Sequence, residues 1–513
     1  MKTTRRSLLG FLGATALSPA IFSTTGGVPA AYAQDNDTLI LAQTNDILTL
    51  DPANHGNNST ESALINIYDY LVNKEFVDGA MTFQPNLAKS WHSDDLIRWV
   101  FELHEGIVWH DGSAFTAEDV KFTIERGRKE TGLNSASKFN AIETVNVLGP
   151  HRLEILTKGR DPLLLHSFVG NGAMILPKAA FEAAGNAEAF FAKPIGTGPY
   201  SFVQWQRGDR LTLKASGNWR GGKPHWSQVI VRGIPETSTR VAEALTGGAA
   251  VAVNIPPDDI ERIKNGSDTN VASFDIARNF ALHVRNEEGA GTRDLRVREA
   301  IDLAINREEI VQFILDGYAT PTRGLFPPEI PGHNPELNSK NAFDPDRARA
   351  LIEEAGAEGT EITLHSPSGR WAKDHETAET IVGYLQDIGL KAKLEVLEWS
   401  VFNSRLQADQ LGDIYLWAMG SYTDASHLTD MNRLKRFNPH WQDEKFIALS
   451  RTLNDAPTED ERQAMLREAQ RVMTDARVRI GILYPKAIYA TSKRVTFPGR
   501  FDEMIPAEKV RRA

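Results

Sequence analysis

The chain has no cysteine among its 513 residues. That absence excludes disulfide frameworks, thiolate zinc sites and thiol redox chemistry. Positive charge is also in short supply: 57 Lys and Arg stand against 67 Asp and Glu, a formal net charge of −10. Three of the cations, Lys2, Arg5 and Arg6, precede any acid, so the remainder is more acidic still. Nucleic acid and anionic membrane both need a basic surface, and neither is an expected partner. Past the first 33 residues no apolar run approaches the roughly 20 residues that span a bilayer, so no stable membrane insertion is expected. Low-complexity tracts, solenoid-period repeats and long linkers are missing as well.

Recognisable catalytic punctuation is equally scarce. There is no G-x-S-x-G, no P-loop and no dinucleotide fingerprint. Thirteen histidines are scattered without metal-ligand spacing. His104 and His110 in "HEGIVWH" are six residues apart rather than four, on an extended segment, and read as structural. Ser135-Ala136-Ser137-Lys138 fits the serine-x-x-lysine pattern of penicillin-interacting enzymes, but the companion S-D-N and K-T-G are absent and the match reads as chance. No enzyme activity, metal or cofactor is expected.

What is present begins at the N-terminus. Thr4-Arg5-Arg6-Ser7-Leu8-Leu9 sets a paired cation ahead of an apolar, small-residue run from Leu8 to Ile21, too short for a stable anchor. Ala31-Tyr32-Ala33 then offers the small residues a signal peptidase needs, which makes Gln34 the expected new N-terminus. Residues 1–33 read as a secretory signal resembling the twin-arginine type, and the mature protein is expected in the periplasm.

Strand-like and helix-like segments alternate along the rest, which predicts α/β architecture, and the length predicts about two to four domains. "TLILAQT" (38–44) suits a buried strand, and the helix after it is expected to start at Asn58 as N-cap, with Glu61 three residues on. In "FDPDRARALIEEAG", Asp344 is placed as N-cap, Pro345 at the first helical position and Gly356 at the stop. "TEITLHSPSGRWAKDHETAETIVGYLQDIGLKAKLEV" reads as strand, loop, helix, strand, with Ala378, Ile381, Val382, Leu385 and Ile388 on one helix face. In its last strand Leu390, Ala392, Leu394 and Val396 alternate with Lys391, Lys393 and Glu395, and a further strand is expected at 413–419.

Ligands of open α/β sheets sit beyond the carboxyl ends of the strands. Three loops qualify: 45–58, 366–371 and 420–427. They bring Asn54, His55, Trp371 and Tyr422, with Trp399 and Trp417 close by, as candidate ligand contacts. Trp91, Trp99, Trp109, Trp219 and Trp226 are expected in the core.

Long blocks of the chain resemble the family 5 extracellular solute-binding proteins, the peptide- and nickel-binding receptors of ABC importers. The blocks are "PNLAKSWHSDDLIRWVFELHEGIVWHDGSAFTAEDVKFTIERG" (85–127), "PIGTGPYSFVQWQRGDRLTLKASGNWRGGKPHWSQVIVRGIPETSTRVAEALTGG" (194–248), "RDLRVREAIDLAINREEIVQFILDGYATP" (293–321) and "FDPDRARALIEEAG". Within them Gly196, Gly198 and Pro199 read as a tight turn, and Thr116 as a helix cap with Asp119 three residues later. The resemblance implies a two-lobed periplasmic binding protein, type II-like, with a hinge and an extra domain inserted in the first lobe. Lobe one would take 34–78, 194–281 and 483–513, the inserted domain 79–193, and lobe two 282–482. It further implies a monomer that captures di- or oligopeptides and hands them to permease subunits. A nickel chelate, an opine or an oligosaccharide is the alternative ligand on the same fold. By likeness to the peptide receptors, Asp424 in "GSYTDASH" would hold a peptide ammonium and Arg370 in "PSGRW" its carboxylate. The chain departs from the family in reading Gly420-Ser421-Tyr422 where Gly-Trp is common, with no proline inside this loop.

Overall fold

A computed structural model of the protein describes residues 37–77, 79–338, 342–420, 423–430 and 438–513. The signal segment and Tyr422 lie outside the described residues.

The first strand, Thr38–Gln43, is almost wholly buried, as a short apolar run covered on both faces should be. It pairs in parallel with Gln228–Gly233 on one side and with Val251–Ala252 on the other. Arg210–Ala215 and Tyr200–Gln206 extend this sheet antiparallel. A second sheet runs in the order Lys391–Leu397, Glu361–Pro367, Ile414–Gly420, Arg278–Val284. Its first three strands are parallel, the expected strand–helix–strand unit with one strand added.

One strand belongs to both sheets. Arg479–Ser492 pairs through its first half with Arg278–Val284 and through its second half with Thr269–Asp275 and Val251–Ala252. The two halves of the molecule are therefore joined at Ile276–Ala277 and at Pro485–Lys486, since Pro485 still pairs with Ala319 while Lys486 pairs with Asp275. The strand Arg278–Val284 lies entirely in the second sheet, so the chain crosses before residue 281, where the family likeness had put the boundary. Separate apolar cores fill the halves: Leu39, Leu41, Val229 and Val231 lie in one, Leu282, Ile362, Leu364 and Ile414 in the other.

Between the first helix and Tyr200 the chain builds a smaller unit. Four antiparallel strands, in the order Ala88–His92, Arg98–Leu103, Arg152–Thr157, Ile142–Gly149, pack on the helix Ala117–Lys129 around Trp99, Phe101, Trp109 and Phe139. Thr116 and Asp119 form the capping box read from sequence. The unit rejoins the first half through Gly196 and Gly198. A Cβ on Gly196 would fall on the carbonyl oxygen of Ile67, and one on Gly198 would lie 2.7 Å from that carbonyl carbon. The Gly198 amide donates to the same oxygen at 2.9 Å. These glycines are required by close backbone approach.

Local readings hold with small shifts. Asp344 caps Pro345–Ala355, and Gly356 ends that helix in the left-handed region at φ 65°. The cap of Asn58–Leu64 is Asn57, whose side chain accepts from the Thr60 amide, rather than Asn58. In Lys391–Leu397 the alternation lapses at its end: Val396 is exposed and Leu397 is buried against Phe402, Leu406 and Tyr415. The edge strand turns there into the helix Trp399–Gln407, and the buried face turns with it.

Candidate functional site

A cleft opens between the two halves, in two compartments that share Gly56, Asn58 and Gly420. The larger has a volume of about 760 Å³ and the smaller about 370 Å³. All three loops singled out in the sequence reach it. The first supplies Gly56, Asn57 and Asn58, the second Arg370, the third Gly420, Thr423 and His427.

Several charges in the larger compartment are paired. Asp502, 3% exposed, accepts from Arg500 at 2.8 and 2.9 Å and lies 3.5 Å from the Lys74 ammonium. Burial alone would raise its pKa; Arg500 and Lys74 outweigh burial and hold it below the usual carboxylate range. Asp69 accepts from Arg220 at 2.6 Å and from the Thr197 hydroxyl at 2.8 Å. Glu61 sits between His55 Nε2, at 3.2 Å, and the Tyr70 hydroxyl. Lys138 also lines this space; its ammonium donates to the Val169 carbonyl at 2.7 Å, and burial lowers its pKa to about 8.

In the smaller compartment Gln43 is buried with neither amide atom bonded among the described residues, and Arg278 pairs with Glu503 at 2.6 Å. The Arg370 guanidinium lies 4.9 Å from the Trp399 ring centre and 5.7 Å from that of Trp371. Among the described residues it forms no ion pair; burial, with Arg278 nearby, holds its pKa down to about 10. A cation desolvated over aromatic faces and facing a cavity is suited to an anionic ligand group.

The expected clamp of Arg370 and Asp424 is not assembled in one cavity. Asp424 faces a side chamber of about 330 Å³ that adjoins the larger compartment at Leu163, His166 and Thr423. Its oxygens accept from Arg462 at 3.1 and 2.7 Å, and one also accepts from the Ser426 amide at 2.8 Å. Burial alone would raise its pKa, but Arg462 reverses the shift. This carboxylate already has its counter-charge, carried on the helix Glu459–Asp475 and not signalled by any local spacing.

Other expected contacts fall in different places. Asn54 is exposed and away from the lining, and His55 is buried behind Glu61. Trp371 is core, packed against Phe280, Trp399 and Trp417; Trp417 itself lines the smaller compartment. Trp219, expected in the core, is half-buried and lines the larger compartment. The Ser135 hydroxyl donates to the Ala53 carbonyl at 2.9 Å rather than to Lys138, so serine and lysine do not form a nucleophile–base pair. His110 accepts from the Gly196 amide at Nδ1, which puts the proton on Nε2, donated to the Gly198 carbonyl at 2.9 Å. The sequence reading missed Lys74, Arg278 and the C-terminal segment 500–509, which contributes Arg500, Asp502, Glu503 and Glu508. The charge density of "RFDEMIPAEK" was the available signal, but nothing local ties it to the loops.

Two α/β halves joined at a double crossing, with loops of both around a charged cleft, define a two-lobed binding protein. Residues 82–438 match the family described as "Bacterial extracellular solute-binding proteins, family 5 Middle", and the chain belongs to it. It is 28% identical over 386 residues to a glutathione-binding protein of Salmonella paratyphi A, covering 73% of this chain and 72% of that one. To the dipeptide-binding protein of Escherichia coli it is 27% identical over 377 residues, covering 67% and 69%. The fold matches the periplasmic binding protein DppA of Helicobacter pylori, solved with the peptide STSA, at a TM-score of 0.76 and 23% identity, covering 93% of this chain and 98% of that one. No helix among the described residues is long and apolar enough to cross a membrane.

Proposed function

We propose that this chain is the exported substrate-binding component of an ABC importer, taking di- or oligopeptides between two closing lobes and delivering them to permease subunits. Arg370 carries the reading: a guanidinium without an ion-pair partner among the described residues, set over Trp399 at the wall of the cleft, is placed to receive a peptide carboxylate. The glutathione- and dipeptide-binding relatives support the same ligand class. The lobes meet at Ile276–Ala277 and Pro485–Lys486, and the unit rejoined at Gly196 is the inserted domain. The protein binds and does not catalyse, and it acts as a monomer in the periplasm after loss of residues 1–33. Mass spectrometry of ligand carried through purification, followed by calorimetry with that ligand, tests the proposal. A peptide that compacts the protein in solution scattering is expected; a bound sugar or metal chelate in its place would overturn the peptide assignment. Arg5-Arg6→Lys-Lys is expected to block export, and normal periplasmic accumulation of that form would refute the twin-arginine route.

A further inference from the structure

Among the described residues the serine-x-x-lysine motif leaves an ammonium in the cleft with no carboxylate in ion-pair contact, Glu61 acting on it only from farther off. Three other cations of the larger compartment are matched: buried Lys74 and half-buried Arg500 share Asp502, and the more exposed Arg220 has Asp69. Among the described residues Lys138 donates to the Val169 carbonyl alone, and no carboxylate comes within ion-pair distance. Its site is built rather than incidental. Gly172, at φ +81°, packs on Ser135 and on the Lys138 stem, where a Cβ would strike the Ser135 side chain. Ser135 is itself tied to Ala53. The ammonium is thus fixed at the wall of the compartment, while Arg370 stands in the adjoining one.

An uncompensated cation in a desolvated site is costly, and an apolar side chain of similar length would fill the same space without that cost. Burial draws the ammonium down and Lys74 adds to the fall, with Glu61 opposing. His166 on the same wall faces Asp424, Arg462 and Lys138; burial lowers its pKa to about 4, so it is neutral near pH 7 and adds no competing charge. The missing counter-charge must come from what enters the cleft. We infer that Lys138 is a second anion-binding residue, and that the ligand is a peptide carrying a carboxylate in addition to its C-terminal one. This inference rests on the peptide reading above and narrows it.

Calorimetry on the mature protein tests it, with trialanine as reference, the three tripeptides in which glutamate replaces one alanine, and their glutamine counterparts. Wild type is expected to prefer glutamate to glutamine at one position by roughly tenfold or more, the scale of a charge-assisted bond. Lys138→Met should bring that ratio to about one, and Lys138→Arg should preserve it, with both variants melting cooperatively. The same ratio in wild type and Lys138→Met, or no acid preference at any position, would overturn the inference while leaving the peptide reading intact. Binding of none of these peptides would overturn both.

Discussion

Arg370→Gln and Asp424→Asn are expected to act in opposite ways, because of what each group holds before ligand arrives. Asp424 is buried and paired with Arg462 through both oxygens. Removing its charge leaves Arg462 with Glu459, at 2.8 Å and 57% exposed, as its remaining partner. Breaking a buried pair costs about 3–5 kcal/mol, and the Glu459 contact puts this case near about 3. Unfolding entropy near 2 cal/mol/K per residue makes roughly 1 kcal/mol per degree for a chain this long, so the melting point should fall by about 3 °C. Among the described residues Arg370 has no ion pair to lose. Its variant gives up cation–π contacts worth about 1 kcal/mol each and is relieved of an uncompensated charge, so the melting point should stay within about 1 °C. Ligand reverses the ranking. Stranding a peptide carboxylate in the cleft costs about 2–5 kcal/mol, a loss of about thirty-fold to several thousand-fold in affinity. A C-terminally amidated peptide should show the same loss on wild type, with little further loss on Arg370→Gln. Scanning calorimetry and titration calorimetry on the two variants decide the matter. Wild-type affinity in Arg370→Gln, or weakened binding by Asp424→Asn at an unchanged melting point, would refute the reasoning.

Asp502→Asn should destabilise by about 3–5 kcal/mol, because Arg500 and Lys74 lose a shared buried partner. The folded pKa of Asp502 is depressed, so its contribution is full above the unfolded value of about 3.9 and is lost as pH falls through the folded value. Stability of the wild type should therefore drop below about pH 4, and the Asn variant should show a shallower drop in acid denaturation followed by circular dichroism. Lys373, at φ 57°, reaches from the second-sheet half to Asp258 of the other half at 2.5 Å. Asp258 is largely exposed, so Lys373→Gln should cost no more than about 1 kcal/mol, yet should raise the radius of gyration of the ligand-free protein. Added salt should have the same effect on wild type; an unchanged radius in both would show that the contact does not hold the halves together.

The amino-acid sequence by itself determined what acts over a few residues. Caps and stops at Thr116, Asp344 and Gly356 fix helix ends, because an unsatisfied amide or carbonyl is answered by the nearest side chain or by a left-handed turn. Apolar periodicity marked the buried strands and the helix Asp374–Asp387, and the order of elements placed three loops at one end of the sheets. The family blocks were legible for the same reason, since they spell scaffold turns such as Gly196 and Gly198 against Ile67. Only the tertiary structure decided which charges meet. Asp424 finds Arg462, Asp51 finds Arg126, and Lys74 finds Asp502, over separations with no period to announce them. It also brought Trp219 to the cleft wall, moved the crossing to Ile276–Ala277, and left Lys138 and Arg370 without ion-pair partners among the described residues. Electrostatic pairing depends on distance and burial through space, and those are set only once the two halves have packed.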